Sequence, residues 1–180
     1  MSPRLWPSTD AFRRAARGRA LPWALFGVAA VAAVAFAVLW QVQRGEEARR
    51  GEVEDVARRF LTALTSFTAG TIERDVEEIR SYAVGEFADE VQETFGPERI
   101  AAIRESRANS VGTVREVFVE SLEGSSARAF AVVEETVVSE TQTNPRTDVL
   151  RILVGLIETP DGWRVHSVEI LPSPGSQPGG

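Results

Sequence analysis

The chain has 180 residues, the length of about one domain, which argues against a multi-domain machine. It has no Cys and a single His (His166), so disulfides, thiolate metal sites, cysteine nucleophiles and multi-histidine metal sites are excluded. All 20 basic residues are Arg, which removes a phosphate-loop lysine and Schiff-base chemistry.

The near-neutral mean hydropathy of −0.10 hides two opposite compositions. Residues 21–40, LPWALFGVAAVAAVAFAVLW, carry no charge and no polar side chain beyond two Trp indoles. Five Arg (Arg4, Arg13, Arg14, Arg17, Arg19) and one acid (Asp10) precede this run. Residues 41–180 therefore hold 15 Arg against 25 Asp and Glu, a net charge of −10. An acidic body of this kind does not suit nucleic acid, so no nucleic-acid partner is expected.

Taken in chain order, residues 1–20 form a basic cytoplasmic segment and 21–40 a transmembrane helix. Twenty residues at a 1.5 Å rise span roughly 30 Å, the thickness of a bilayer's hydrocarbon core. Trp23 and Trp40 stand about 25 Å apart on such a helix, at the depth indoles favour. Pro22 fits its first turn. The run is longer than the roughly 7–15 apolar residues of a cleaved signal, although Ala33-Val34-Ala35 resembles a cleavage site. Arg13, Arg14, Arg17 and Arg19 bias the N-terminus to the cytoplasm and the acidic body outward. Ala29, Ala33 and Ala37 make a small-residue stripe that would let another transmembrane helix approach closely, with simple Ala abundance as the competing reading.

Residues 41–52 read as a stalk with a bend at Gly51, and 53–171 as an extracytoplasmic α+β domain. Val53, Val56, Ala57, Phe60, Leu61, Leu64 and Phe67 recur at helical spacing. Glu46–Arg50, Glu54–Arg58 and Asp55–Arg59 are spaced for ion pairs one turn apart. A second helix buries Ile72, Val76 and Ile79 and closes at Gly85. A third stretch from about Glu86 to Arg107, with a break near Gly96-Pro97, buries Phe87, Val91, Phe95, Ile100 and Ile103. Four strands follow, at Thr113–Ser121, Ala127–Val138, Val149–Glu158 and Trp163–Leu171, rich in β-branched residues. Glu123-Gly124-Ser125-Ser126 and Pro160-Asp161-Gly162 suit hairpin turns, and Ser139–Thr147 reads as a longer loop. Val149–Ile157 is apolar enough for a strand covered on both faces. Residues 172–180, with three Pro and three Gly among the last nine, read as a disordered tail. Helices followed by strands imply helices packed on one face of an antiparallel sheet.

Catalytic constellations are not legible. His166 falls in mid-strand, and Tyr82, the sole Tyr, falls on the second helix. The adjacent acids Glu77/Glu78, Asp89/Glu90 and Glu134/Glu135 point in different directions on any regular element and read as solvated faces. No calcium loop or glycine-rich phosphate loop occurs, and no cofactor or metal is expected.

The string Ala57-Arg58-Arg59-Phe60-Leu61-Thr62-Ala63-Leu64-Thr65-Ser66-Phe67 is followed by Thr71-Ile72-Glu73-Arg74-Asp75-Val76 and Tyr82-Ala83-Val84-Gly85-Glu86-Phe87. Gly112-Thr113-Val114, Asn144-Pro145-Arg146 and Gly162-Trp163-Arg164-Val165 come after them. This order resembles the Mce-associated membrane proteins of actinobacteria. The resemblance implies a single-pass inner-membrane protein whose outer domain is a nuclear-transport-factor-2-like cone, helices packed on a curved antiparallel sheet. It further implies a non-enzymatic accessory or stabilising subunit of an Mce-type complex importing sterols or fatty acids. No catalytic residues come with it.

Two other classes compete. A membrane-tethered small-ligand binder or SnoaL-like enzyme needs a polar group aimed into an apolar pocket, with Tyr82, Asp148 and His166 as the residues to supply it. A scaffold subunit of another envelope machine, of the type IV secretion kind, shares the architecture of anchor plus outer domain.

Overall fold

A computed structural model of the chain describes residues 36, 40, 44–140 and 142–172, with the backbone alone at 142 and 143. The chain divides into two compact units, Met1–Glu47 and Ala48–Gly180. In the first, Phe36, Trp40 and residues 44–47 are helical, and the Arg44 guanidinium lies 3.9 Å from the centroid of the exposed Trp40 ring. Arg13, Arg14, Arg17, Arg19, Trp23, most of the 21–40 run and the tail beyond 172 lie outside the described residues. Among the described residues, no helix is long and apolar enough to cross a membrane.

The second unit opens with helix α1, residues 48–65. Val53, Ala57, Phe60 and Leu61 are fully buried along one stripe, as their spacing predicts. The helix runs through Gly51 without the expected bend. Tertiary contacts beside it outweigh the roughly 1 kcal/mol helix penalty of glycine. Arg49 Nη2 donates to the Gly124 carbonyl and to Glu158 Oε2, both at 2.6 Å, so the end of the expected stalk packs with the domain.

Strand β1 (Phe67–Thr68) is followed by α2 (Ile72–Tyr82), α3 (Glu86–Thr94) and α4 (Pro97–Glu105). Pro97 starts α4 at a position where its missing N–H costs nothing, which produces the expected break. Gly85 does not close α2. That helix ends at Tyr82, and Gly85, at φ 62°, caps the start of α3. Ala83 bridges Val165 in parallel, and Val84 N–H donates to the Val165 carbonyl at 2.9 Å.

Strands β2 (Asn109–Glu123), β3 (Ser126–Ser139), β4 (Gln142–Thr159) and β5 (Gly162–Leu171) complete a five-stranded antiparallel meander in the order β1-β2-β3-β4-β5. Register shifts at Val114/Glu116, Val119/Ser121, Val137/Ser139 and Gly155/Leu156 add twist and curl the sheet. The segment Ser139–Thr147, expected as a loop, is mostly paired strand. Val137 pairs with Arg146 and Ser139 with Gln142, so residues 143–145 oppose Val138 alone. Pro145 falls inside this bulge, where no ladder N–H is demanded of it.

The helices cover one sheet face. Phe60 stands at the centre, edge-on to Tyr82 and Phe87 with centroids 6.1 and 5.9 Å away. Beneath, Ala127, Ala129 and Ala131 of β3 leave room for α1, while Ile152, Val154, Leu156 and Val165 supply bulk. A second, separate cluster joins Ile72 and Val76 of α2 to Ile103 of α4.

The arginines of α1 do not form the expected ion pairs with acids one turn away. Arg50 donates to the Val119 carbonyl at 3.3 Å and Arg58 to the Val114 carbonyl at 3.2 Å, while Arg59 bonds the Asp55 carbonyl at 3.2 Å. Strand β1 pairs only Ser110 and Asn109 of β2, which leaves carbonyls along the rest of that edge. The guanidinium groups find them there and blunt an edge that would otherwise recruit another strand.

Candidate functional site: an inner cavity and an uncovered sheet face

The division of the core has a geometric cause. Helix α4 buries only Ile103, and it is fastened to α2 by that contact and by an Arg104–Glu73 ion pair of 2.6 Å. It does not close on the sheet. Between α4, the end of α1 and the inner sheet face lies a cavity of about 580 Å3. Its walls come from both core clusters: Leu64, Leu150 and Ile152 on one side, Phe67 and Ile103 on the other. Exposed Arg99 and Ile170 flank its opening.

One carboxylate faces this apolar space. Ser110, buried to 2%, places its Oγ 2.7 Å from Glu135 Oε1 and 2.8 Å from the Thr65 carbonyl. One hydroxyl hydrogen thus serves two acceptors, so Glu135 receives less than its oxygens can accept. Glu135, read from sequence as part of a solvated face, lines the cavity instead. The alternation Ala127, Ala129, Ala131, Val133, Glu135, Val137 carries the signal, because odd-numbered residues of β3 face inward.

Tyr82, Asp148 and His166 are not brought together. Tyr82 packs on Phe60 and borders a different hollow, beside Trp163 and Arg59. Asp148 pairs with Arg146 Nε at 2.8 Å and stands opposite Glu135 in the β3–β4 register. His166 projects from the outer face, over Gly155, where a Cβ would come 2.9 Å from its Nε2. It lies on the face away from the helices because the Gly155/Leu156 bulge leaves it unpaired between inward Val165 and outward Ser167. Tyr82 and His166 thus border two different hollows, and the three residues form no single cluster. Among the described residues, no group of His, Asp and Glu is placed to hold a metal.

The outer sheet face is uncovered. Val149–Ile157, expected to be covered on both faces, buries only Ile152, Val154 and Leu156, whose side chains face the helices. On the other side a cross-strand row runs Phe118–Phe130–Leu153, with Val132 beside it. Phe118 and Val149 are 53% and 54% exposed. Arg115 and Glu134 form a 2.6 Å ion pair at the margin.

These features define an α+β domain: one curled antiparallel sheet with helices on one face and the other face open. A family model described as "Uncharacterized protein Rv1363c/MT1408-like" matches residues 19–172, and the chain belongs to this Rv1363c/MT1408-like family. No curated protein matches the chain. Among solved structures, the VirB8 protein of Agrobacterium tumefaciens is similar at a TM-score of 0.57 and 10% identity, over 72% of this chain and 96% of that one. An IcmL-like type IV secretion system protein of Legionella pneumophila is similar at 0.55 and 16%, over 71% and 96%. The periplasmic domain of DotI is similar at 0.55 and 11%, over 67% and 94%. At these identities the likeness concerns the fold.

Proposed function

We propose that this protein is a non-enzymatic scaffold subunit of a multi-protein envelope complex. Residues 21–40 anchor it in the inner membrane with the N-terminus in the cytoplasm, and the unit beginning at Ala48 docks on partner subunits outside. We read its curled sheet and helices as a nuclear-transport-factor-2-like cone. The observation that carries the proposal is the open sheet face, where Phe118, Phe130 and Leu153 line up across three strands. An aromatic and aliphatic row with charges at its margin has the anatomy of a docking surface. The shared fold with IcmL-like, VirB8 and DotI domains supports a secretion-type scaffold above an Mce-type lipid-import subunit. The Mce assignment rests on motif order alone, and the family description names no transport system.

Copurification of the full chain in mild detergent tests this reading. Defined subunits of one envelope complex should enrich with the unaltered protein and be lost with Phe118→Glu. Equal recovery with both proteins, or no enrichment of such subunits with either, refutes it. Protease accessibility in intact spheroplasts checks the topology independently.

A further inference from the structure

We propose that the cavity between α4 and the sheet binds an apolar alcohol, with the ligand hydroxyl donating to the Glu135 carboxylate. The inference goes beyond the docking role and holds whichever complex the chain joins. Three observations carry it.

The first is the gap itself. A volume of about 580 Å3 falls within the range of small-molecule pockets, roughly 300–1,000 Å3. It lies between two hydrophobic clusters, both of which touch Phe95 in its wall. Small residues keep it open: Ala102, Ser106 and Ala108 line the α4 side, where larger apolar side chains would fill the space. Unfilled apolar volume forfeits dispersion contacts, and an apolar guest restores them.

The second is the state of Glu135. Among the described residues, its one hydrogen-bond donor, Ser110, is shared with the Thr65 carbonyl, and no cation lies within ion-pair distance. A carboxylate oxygen beside apolar walls is an acceptor awaiting a donor. The third is charge. At Glu135 itself a fatty carboxylate would be repelled, and an ammonium ligand bound there would have to enter past the cation of Arg99, which lines the same space. Arg99 has no ion-pair partner among the described residues to neutralise it. A hydroxyl is a neutral donor and satisfies both constraints.

The test uses the full chain, kept soluble in an amphipol, and a diazirine-bearing dodecanol as probe. Matched diazirine-bearing dodecane and dodecanoic acid serve as comparisons. Photolabelling by the alcohol should saturate, map to peptides carrying α4 and the middle of β4, and be displaced by excess dodecanol. A hydrogen bond to a charged acceptor corresponds to about tenfold in affinity. Labelling by the hydrocarbon, and labelling of Glu135→Leu by the alcohol, should therefore weaken by about that factor. Ala102→Trp, at an exposed position that tolerates bulk, should fill the cavity and abolish labelling even if Glu135→Leu fails to fold. Labelling that does not saturate, that maps elsewhere, that persists in Ala102→Trp, or that is equal for alcohol and hydrocarbon overturns the proposal. No partner subunit takes part, so the outcome is separate from that of the docking experiment.

Discussion

Thr65 and Gly112 approach so closely that the threonine side chain occupies the space a Cβ on Gly112 would need. Thr65 is held there by its own hydrogen bond, Oγ1 to the Leu61 carbonyl at 2.7 Å, and Gly112 N–H donates to Ser66 Oγ at 3.1 Å. The end of α1 is thus seated directly on β2, beside the cavity. Replacing Gly112 by Ala should push the helix off the strand and cost about 1–3 kcal/mol, the usual range for overpacking. Urea unfolding measures it, and an unchanged midpoint would contradict the packing described.

The arginines that cover the β2 edge give a second expectation. The exposed hydrogen bonds of Arg50 and Arg58 are worth on the order of 1 kcal/mol each at most. The double variant Arg50→Ala/Arg58→Ala should therefore stay folded while exposing unpaired carbonyls. Its main phenotype should be concentration-dependent association, read by light scattering against the parent protein at equal fraction folded. A large loss of stability without association would assign these arginines a different role.

Phe60 and Tyr82 separate packing from chemistry. Phe60→Ala removes the ring at the centre of the core and should cost about 3–5 kcal/mol. Tyr82 contributes its ring edge-on to Phe60, and its hydroxyl has no hydrogen-bond partner among the described residues. Tyr82→Phe should accordingly change stability by less than about 0.5 kcal/mol. A substantial loss on removing that hydroxyl alone would show that it makes a contact beyond the packing of its ring.

Phe118 tests the outer face. Because it is 53% exposed, Phe118→Glu should leave the unfolding midpoint within about 0.5 kcal/mol of the parent. The same variant should lose partner recovery. Stability loss comparable to Phe60→Ala would mean that the side chain supports the fold rather than a surface.

Much of the scaffold is legible in the sequence. The stripe Val53, Ala57, Phe60, Leu61 and the set Ile72, Val76, Ile79 announce buried helix faces, because the period of burial on a helix is local. The Gly124 and Gly162 turns and the Gly96-Pro97 break are equally local, since each depends on the φ range or missing donor of one or two residues. Less legible were the extensions of β2 and β4. Asn109–Gly112 pairs because β3 is long enough to reach it, and Asn144-Pro145 is absorbed by a bulge that depends on its partner strand.

The site divides in the same way. That Glu135 shares a face with Ala131 and Val133 follows from the period of two along β3, and the sequence by itself determined it. Whether that face meets a packed core or open space depends on where α4 settles. Its single buried residue, Ile103, packs in the cluster of Ile72 and Val76 of α2 and not in the main core on the sheet. Likewise the sequence determined that Arg49, Arg50 and Arg58 are charged and helical. Only the tertiary structure decided that they answer Glu158 and the carbonyls of β2 instead of acids one turn away. Local periodicity encodes which way a side chain points; what it meets there is set by elements distant in the chain, through packing that no window of neighbouring residues contains.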